Sequence, residues 1–208
     1  MSFFRKIFGP SKEEVWRQFC DEIGGDFIVG GFWRGSDKVQ VKYQEWTITL
    51  DTYIVNNSNG ESSTSTTYTR IRAPYISRDG FRFKIYRKNI LSNIWKLFGM
   101  EDLNVGDSEF DRDFIIHGNN KFQAEQLFSN TQIRTLIKAQ PHINIIVKDD
   151  EGFFGTKFPP EVDELYFEVG YAIKDVQQLK SLFELFAEIL HELCYIGSAY
   201  KNDPKVIL

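Results

Sequence analysis

The side chains best suited to chemistry lie in two stretches of opposite charge. Residues 68–88 hold seven cationic side chains against the single acid Asp79, in a chain whose formal net charge is −4. Residues 101–113 hold six acids against Arg112. Cations beside aromatic rings can bind nucleic acid, anionic lipid or an acidic protein, and spaced carboxylates can hold a cation or exchange protons.

Alternation along the strands predicted at 67–73 and 81–87 gathers the basic stretch on one outer face of a sheet. Alternate side chains of a strand share a face. The pattern therefore predicts one basic and aromatic face made of Tyr68, Arg70, Arg72, Arg82, Lys84 and Tyr86. If residues 109–116 also form a strand, they present a face of three acids, Glu109, Asp111 and Asp113.

We predict that the protein's own acids neutralise the basic face, because bringing opposite charges together is favourable. The leading candidates are Glu109, Asp111 and Asp113. The alternatives are a solvated basic face, or a binding surface for a protein or peptide, nucleic acid or lipid. An isoelectric point of about 5.5 makes nucleic acid unlikely, because dedicated binders are usually basic.

Other patterns typical of enzymes are missing from the sequence. Of the three histidines, only His191 has a Cys or His at a metal-ligand spacing, namely Cys194. Zinc needs further ligands than this pair supplies, so we predict neither a metal nor a cofactor. No Gly-x-Ser-x-Gly turn and no glycine-rich phosphate loop occurs.

The spacing of apolar residues predicts an α+β fold, with a mainly antiparallel sheet of seven to nine strands arranged as a meander. Residues 56–66 contain no apolar side chain, so we expect an exposed hairpin loop there. The strands are predicted at 26–32, 38–43, 45–55, 67–73, 81–87, 109–116, 142–147 and 164–172.

Helical patterns flank these strands. Ser11 and Glu14 have the spacing of a capping box at the start of a helix over 12–23. Further helices are predicted at 89–98, 121–128, 130–139 and 175–195, with Ser129 or Asn130 capping the fourth of the five. The last helix carries a broad apolar stripe that should pack across the sheet. We expect its core contacts to be Phe183, Phe186 and Leu190 against Trp46 and Ile48.

One domain over residues 1–208 is the expected organisation. No apolar run approaches the roughly 20 residues of a membrane span, and the features of a signal peptide are missing. Residues 1–10 form a short amphipathic arm that we expect to pack on this domain or a partner chain. Cys20 and Cys194 are expected to be free thiols in the cytoplasm.

Three segments and the strand containing Trp46 resemble uncharacterised bacterial hypothetical proteins. The segments are Gly-Gly-Asp-Phe at 24–27, Tyr-Thr-Arg-Ile-Arg-Ala-Pro at 68–74 and Phe-Asp-Arg-Asp-Phe-Ile-Ile at 110–116. The resemblance implies a bacterial cytoplasmic origin. It implies no known activity and assigns no functional residue.

Two hypotheses about function remain. The first is a non-enzymatic interaction or ligand-binding module that uses the sheet and its aromatic side chains, with a protein, a peptide or a second copy of the chain as the alternative partners. The second is a hydrolase or transferase with a carboxylate site around Asp111 and Asp113. It would require those two carboxylates to meet His117 and an arginine in a concave site.

Overall fold

The computed structural model describes residues 9–31, 36–58, 63–88, 100–149 and 157–208. The strands in these ranges are β1 (Asp26–Ile28), β2 (Lys38–Tyr43), β3 (Trp46–Ser58), β4 (Ser63–Ser77), β5 (Phe83–Arg87), β6 (Glu101–Leu103), β7 (Phe114–Gly118), β8 (Asn144–Lys148), β9 (Val162–Val169) and β10 (Ala199–Tyr200). The helices are α1 (Lys12–Ile23), α2 (Ser108–Asp113), α3 (Lys121–Ser129), α4 (Thr131–Ala139) and α5 (Val176–Tyr195).

All ten strands belong to one antiparallel sheet, which confirms the predicted α+β class and adds one strand to the expected maximum. The neighbour order is β1-β2-β3-β4-β9-β8-β5-β7-β6, and β10 pairs with β4 beside this path. A simple meander would place β5 next to β4. Instead β9 and β8 lie between them, so two distant parts of the chain meet at the centre of the sheet.

Side chains start and orient the helices as the sequence indicates. Ser11 and Glu14 form the predicted capping box of α1, with bonds of 3.2 Å and 3.0 Å to each other's backbone N–H. Asn130 caps α4, and Asp175 caps α5 by accepting the N–H groups of Gln177 and Gln178. These carboxylate, amide and hydroxyl oxygens satisfy donors that the first helical turn leaves unpaired.

One face of the sheet, here called the core face, forms the hydrophobic core together with the helices. Leu50, Ile71 and Phe167 lie opposite one another on β3, β4 and β9 and are fully buried. Every described helix contributes apolar side chains to the same cluster. Phe186 and Leu190 of α5 are fully buried in that cluster with Trp46 and Ile48, as the apolar stripe predicts.

The opposite face, here called the polar face, carries the alternate residues of the same strands. Its central side chains are charged or hydroxylated: Asp51, Tyr53, Tyr68, Arg70, Arg72, Lys84, Tyr86, Asp102, His117, Glu164, Tyr166 and Glu168. Several of them are nonetheless buried, among them Asp51, Arg72 and Lys84. Their interactions are therefore formed with little help from bulk water.

The predicted strand over 109–116 is wrong for its first half. Residues 108–113 form α2, because the Asp107 carboxylate accepts the N–H groups of Glu109 and Phe110 and starts a helical turn. Phe110 and Phe114 are four positions apart, which suits a helical turn as well as a strand. Their ring centroids lie 4.6 Å apart in the core.

Part of the predicted loop over 56–66 is β-strand. Residues 56–58 pair with residues 63–65, so β3 and β4 form a ribbon that extends past their other neighbours. Within the described residues, the pairing of β2 with β3 ends at Asp51, and the pairing of β9 with β4 begins at Thr69. Residues 59–62, the predicted helix at 89–98 and most of the predicted arm at 1–10 lie outside the described residues.

We predict that Leu190→Ala lowers the free energy of unfolding by about 2–5 kcal/mol, because it leaves a cavity beneath the sheet. Urea denaturation followed by circular dichroism measures the change. Tyr195→Ala is the matched control at the end of the same helix, where the side chain is 82 % exposed. The packing described above would be wrong if the two variants lost equal, small amounts of stability.

Candidate functional site

Asp51 of β3 holds two arginines of β4 in an arrangement here called the arginine clasp. Arg70 Nε and Nη2 donate to the two Asp51 oxygens at 2.6 Å and 2.9 Å, and Arg72 Nη2 donates to Asp51 Oδ2 at 2.8 Å. Asp51 is 6 % exposed and Arg72 is 4 % exposed. Charge-assisted bonds of this kind are strong and geometrically specific.

Arg82 is also neutralised within the protein. Its guanidinium lies 3.1 Å from Asp163 Oδ1 and 2.9 Å from Asp149 Oδ2. Burial raises the pKa of the Asp163 carboxyl, and Ser77 and Arg82 offset this only in part. Arg82 precedes β5 and does not join the row of cations expected on the outer face.

Acids of the protein thus neutralise Arg70, Arg72 and Arg82. The three acids expected to do so, Glu109, Asp111 and Asp113, were the wrong candidates. Glu109 pairs with Lys138 of α4 at 2.9 Å, and Asp113 pairs with Arg112 at 2.9 Å. Asp111 accepts the N–H groups of Val105 and Gly106. Because 108–113 is a helix, these acids do not share the strand face that the alternation predicted.

Three tyrosines surround Glu168 at the centre of the polar face. Tyr53 and Tyr166 donate to Glu168 Oε2 at 2.8 Å and 2.7 Å. Burial, and then the Glu168 carboxylate, raise the pKa of both hydroxyls, so each remains a donor. The rings of Tyr53 and Tyr68 are stacked with centroids 5.1 Å apart. The cluster is thus held rigid by hydrogen bonds and ring contacts.

A second group, here called the lysine site, comprises Lys84, Tyr86, His117 and Asp102. Lys84, His117 and Asp102 lie directly opposite one another on β5, β7 and β6. His117 Nδ1 lies 2.6 Å from Asp102 Oδ1, and His117 Nε2 lies 3.1 Å from the Tyr86 hydroxyl. A carboxylate at Nδ1 favours the tautomer that carries its proton there, so Nε2 can accept the Tyr86 proton.

Lys84 is the unusual member of the lysine site, because the residue is only 2 % exposed and yet makes no direct contact with a carboxylate of the described residues. No residue in the described ranges forms a hydrogen bond or ion pair with its ammonium. The ammonium lies over the Tyr86 ring, whose centroid is 5.1 Å from Nζ. Burial lowers the pKa of Lys84, while the charge of Glu168 opposes the shift. Buried ammonium groups normally have hydrogen-bonding partners, so this one is a candidate for binding an anion.

The sequence placed Lys84 and Tyr86 correctly on one outer face. It also placed Tyr68, Arg70 and Arg72 together on the face they occupy. Their partners Asp51, Asp102 and Glu168 were missed. One available signal was the nearly symmetric position of Asp51 and Arg70 about the apolar-free stretch 56–66, because the strands that flank a hairpin pair antiparallel.

The conditions set for the hydrolase or transferase hypothesis are not met by the described residues. His117 contacts Asp102 rather than Asp111 or Asp113. Asp111 accepts backbone N–H groups, and Asp113 pairs with Arg112. No three His, Cys, Asp or Glu side chains of the described ranges form a group able to hold a metal ion. Among those same residues, no helix has both the length and the apolar content of a membrane span.

No known protein family model and no curated protein sequence matches this chain. Both results agree with the resemblance to a family without known activity. One solved structure with a similar fold is that of the mycobacterial trehalose monomycolate transport factor A, TtfA. Its TM-score is 0.49 and its identity 8 %, over 87 % of this chain and 95 % of that chain. Similarity at this level assigns no activity here.

We predict that Asp51→Asn lowers the free energy of unfolding by about 3 kcal/mol, because it removes the carboxylate between two largely buried guanidinium groups. Urea denaturation at low and high salt measures it, and the loss should depend little on salt. Asp203→Asn is the matched control, since Asp203 pairs with Lys42 at the surface and should change stability by less than about 1 kcal/mol. Similar losses in both variants would contradict a buried clasp.

We predict that Lys84 makes stability rise with pH below the ordinary lysine pKa of 10.5. Its folded-state pKa is the lower one, so between the two values the unfolded chain binds the extra proton and rising pH favours the fold. Chemical denaturation of wild type and Lys84→Met at several alkaline pH values measures the difference. Lys121→Met, at an exposed helical lysine, should follow the wild type. A Lys84→Met profile parallel to the wild type would contradict the shift.

Proposed function

We propose that this protein is a non-enzymatic binding module that holds a small organic anion at the lysine site. The observation that carries the proposal is Lys84, which is 2 % exposed and forms no hydrogen bond or ion pair with any described residue. A ligand carboxylate would accept its hydrogen bonds and offset its charge. Such charge-assisted bonds form readily in a site of low dielectric constant.

The neighbours of Lys84 suit an organic ligand better than a bare inorganic ion. Tyr86 and His117 supply two aromatic rings stacked at a centroid distance of 5.7 Å. The Tyr86 hydroxyl and the His117 ring add polar groups that can orient a bound molecule. Ligand sites typically combine apolar walls with a few placed polar groups in this way.

The charges of the polar face favour a small anion over a nucleic acid. A nucleic acid backbone needs a row of available cations. Here Arg70 and Arg72 are bound by Asp51, and Arg82 is bound by Asp163 and Asp149. The Lys84 ammonium is a single cation that makes no ion pair with the described residues, and one ligand carboxylate is enough to neutralise it.

A protein or peptide partner is the second candidate, and it is favoured by Tyr53 and Tyr68. Their half-buried, stacked rings lie beside the Arg70 guanidinium, which is 5.2 Å from the Tyr53 ring centroid. Aromatic and arginine side chains are enriched at the centres of protein interfaces. A second copy of this chain is included in that candidate. The proposal keeps the protein in the cytoplasm, where Cys20 and Cys194 would remain free thiols.

Calorimetric titration with acetate, propionate, benzoate and succinate tests the proposal. We expect at least one of these carboxylates to bind the wild type with a Kd near or below about 1 mM. Lys84→Met should weaken that binding at least about tenfold, a loss of about 1.4 kcal/mol. Lys121→Met is the matched control and should bind as the wild type does.

The outcome that rejects the proposal is also clear. Binding of equal strength to the wild type and to Lys84→Met would place the anion elsewhere. If folded wild type binds none of the probes at probe concentrations of tens of millimolar, the proposal of an anion ligand is rejected. Light scattering then tests the second candidate: a dimer that Tyr68→Ala dissociates and Tyr195→Ala does not would support an interface at the tyrosines.

A further inference from the structure

A second polar group beside the lysine site lacks a partner. Asn144 is the first residue of β8, and its carboxamide Oδ1 is buried and accepts no hydrogen bond. A buried acceptor without a donor costs about 1–3 kcal/mol. Asn144 Oδ1 therefore needs a donor, just as the Lys84 ammonium needs an acceptor.

The strand register places these two unmet groups close together on the polar face. Asn144 lies directly opposite Tyr86, and Lys84 lies opposite Ile146. Lys84 and Asn144 are consequently diagonal neighbours across β5 and β8, a relation that separates Cα atoms by about 7–8 Å. Tyr86 lies two residues along β5 from Lys84 and directly opposite Asn144. Its hydroxyl and ring are therefore part of the same surroundings.

We infer that the ligand of the lysine site is a hydroxy acid, with a hydroxyl group on the carbon next to the carboxylate. This inference rests on the proposed function. The carboxylate accepts from Lys84 Nζ, and the hydroxyl donates to Asn144 Oδ1. In such an acid the carboxylate and the hydroxyl are about 3 Å apart, so one short molecule carries both an acceptor for Lys84 and a donor for its neighbour Asn144.

Other ligand classes suit the two groups less well. A plain carboxylate has an acceptor for Lys84 but no donor for Asn144. A neutral alcohol has the donor but brings no charge to the buried ammonium. An amino acid carries both, but its ammonium would lie close to the Lys84 ammonium, and like charges at short range repel.

Matched ligand pairs on the full chain test the inference by calorimetry. Glycolate is compared with acetate, and lactate with propionate and alanine. We expect each hydroxy acid to bind wild type about tenfold more tightly than its plain counterpart, the effect of one hydrogen bond to a buried group. Asn144→Ala should abolish this preference, so that glycolate and acetate bind the variant with equal affinity. Asn202→Ala, at an exposed asparagine, is the matched control and should keep it.

The possible results separate this inference from the proposed function. Equal affinity for glycolate and acetate in the wild type would overturn the hydroxy acid while leaving an anion at Lys84. A preference that survives Asn144→Ala would overturn Asn144 as the acceptor, and tighter binding of alanine than lactate would overturn the ligand class. Failure of every carboxylate to bind would overturn both proposals together.

Discussion

The antiparallel register of β3, β4 and β9 is the constraint on which both faces of the sheet depend. Residues directly opposite one another point to the same side, so the row Leu50, Ile71 and Phe167 builds the core. The adjacent row, Asp51, Arg70 and Glu168, builds the polar face. A slip of one residue would bring the Arg70 guanidinium under the helices, at a cost that no local rearrangement offsets.

That second row is an alternation of acid, base and acid across three strands. Asp51 neutralises the arginines, and Glu168 accepts from Tyr53 and Tyr166 instead of requiring another cation. The polar face is thus organised around carboxylates on strands rather than around the acidic stretch of residues 101–113. Lys84 differs from the arginines of this face, because no described residue forms a hydrogen bond or ion pair with its ammonium. The proposed anion site depends on that difference.

Period-two and period-3.6 patterns were enough to predict the α+β class, α1, α5 and most strands. They failed at 108–113, where Phe110 and Phe114 satisfy both periods and the deciding feature is the Asp107 carboxylate. Alternation also assigned the outward side of Lys84 but not its burial, since burial depends on neighbours from other strands. The patterns could not predict which residues pair across strands, because that depends on the order of the strands in the sheet.

The sheet order could not be read from local signals. Each predicted strand was consistent with a meander, and nothing near β4 indicates that β9 lies beside it. Contacts across this junction span long stretches of chain, for example the 115 positions between Tyr53 and Glu168. Such contacts depend on the collective fit of apolar rows rather than on any turn or cap.

The position of β9 also governs the order in which the protein can assemble during its synthesis. β1 to β4 can pair as soon as they emerge from the ribosome, but the other edge of β4 must wait until β9 has been translated. Non-local pairing of this kind slows folding, and an unpaired strand edge is a template for association with other chains. A nascent chain is therefore most exposed to aggregation during the interval before β9 pairs with β4.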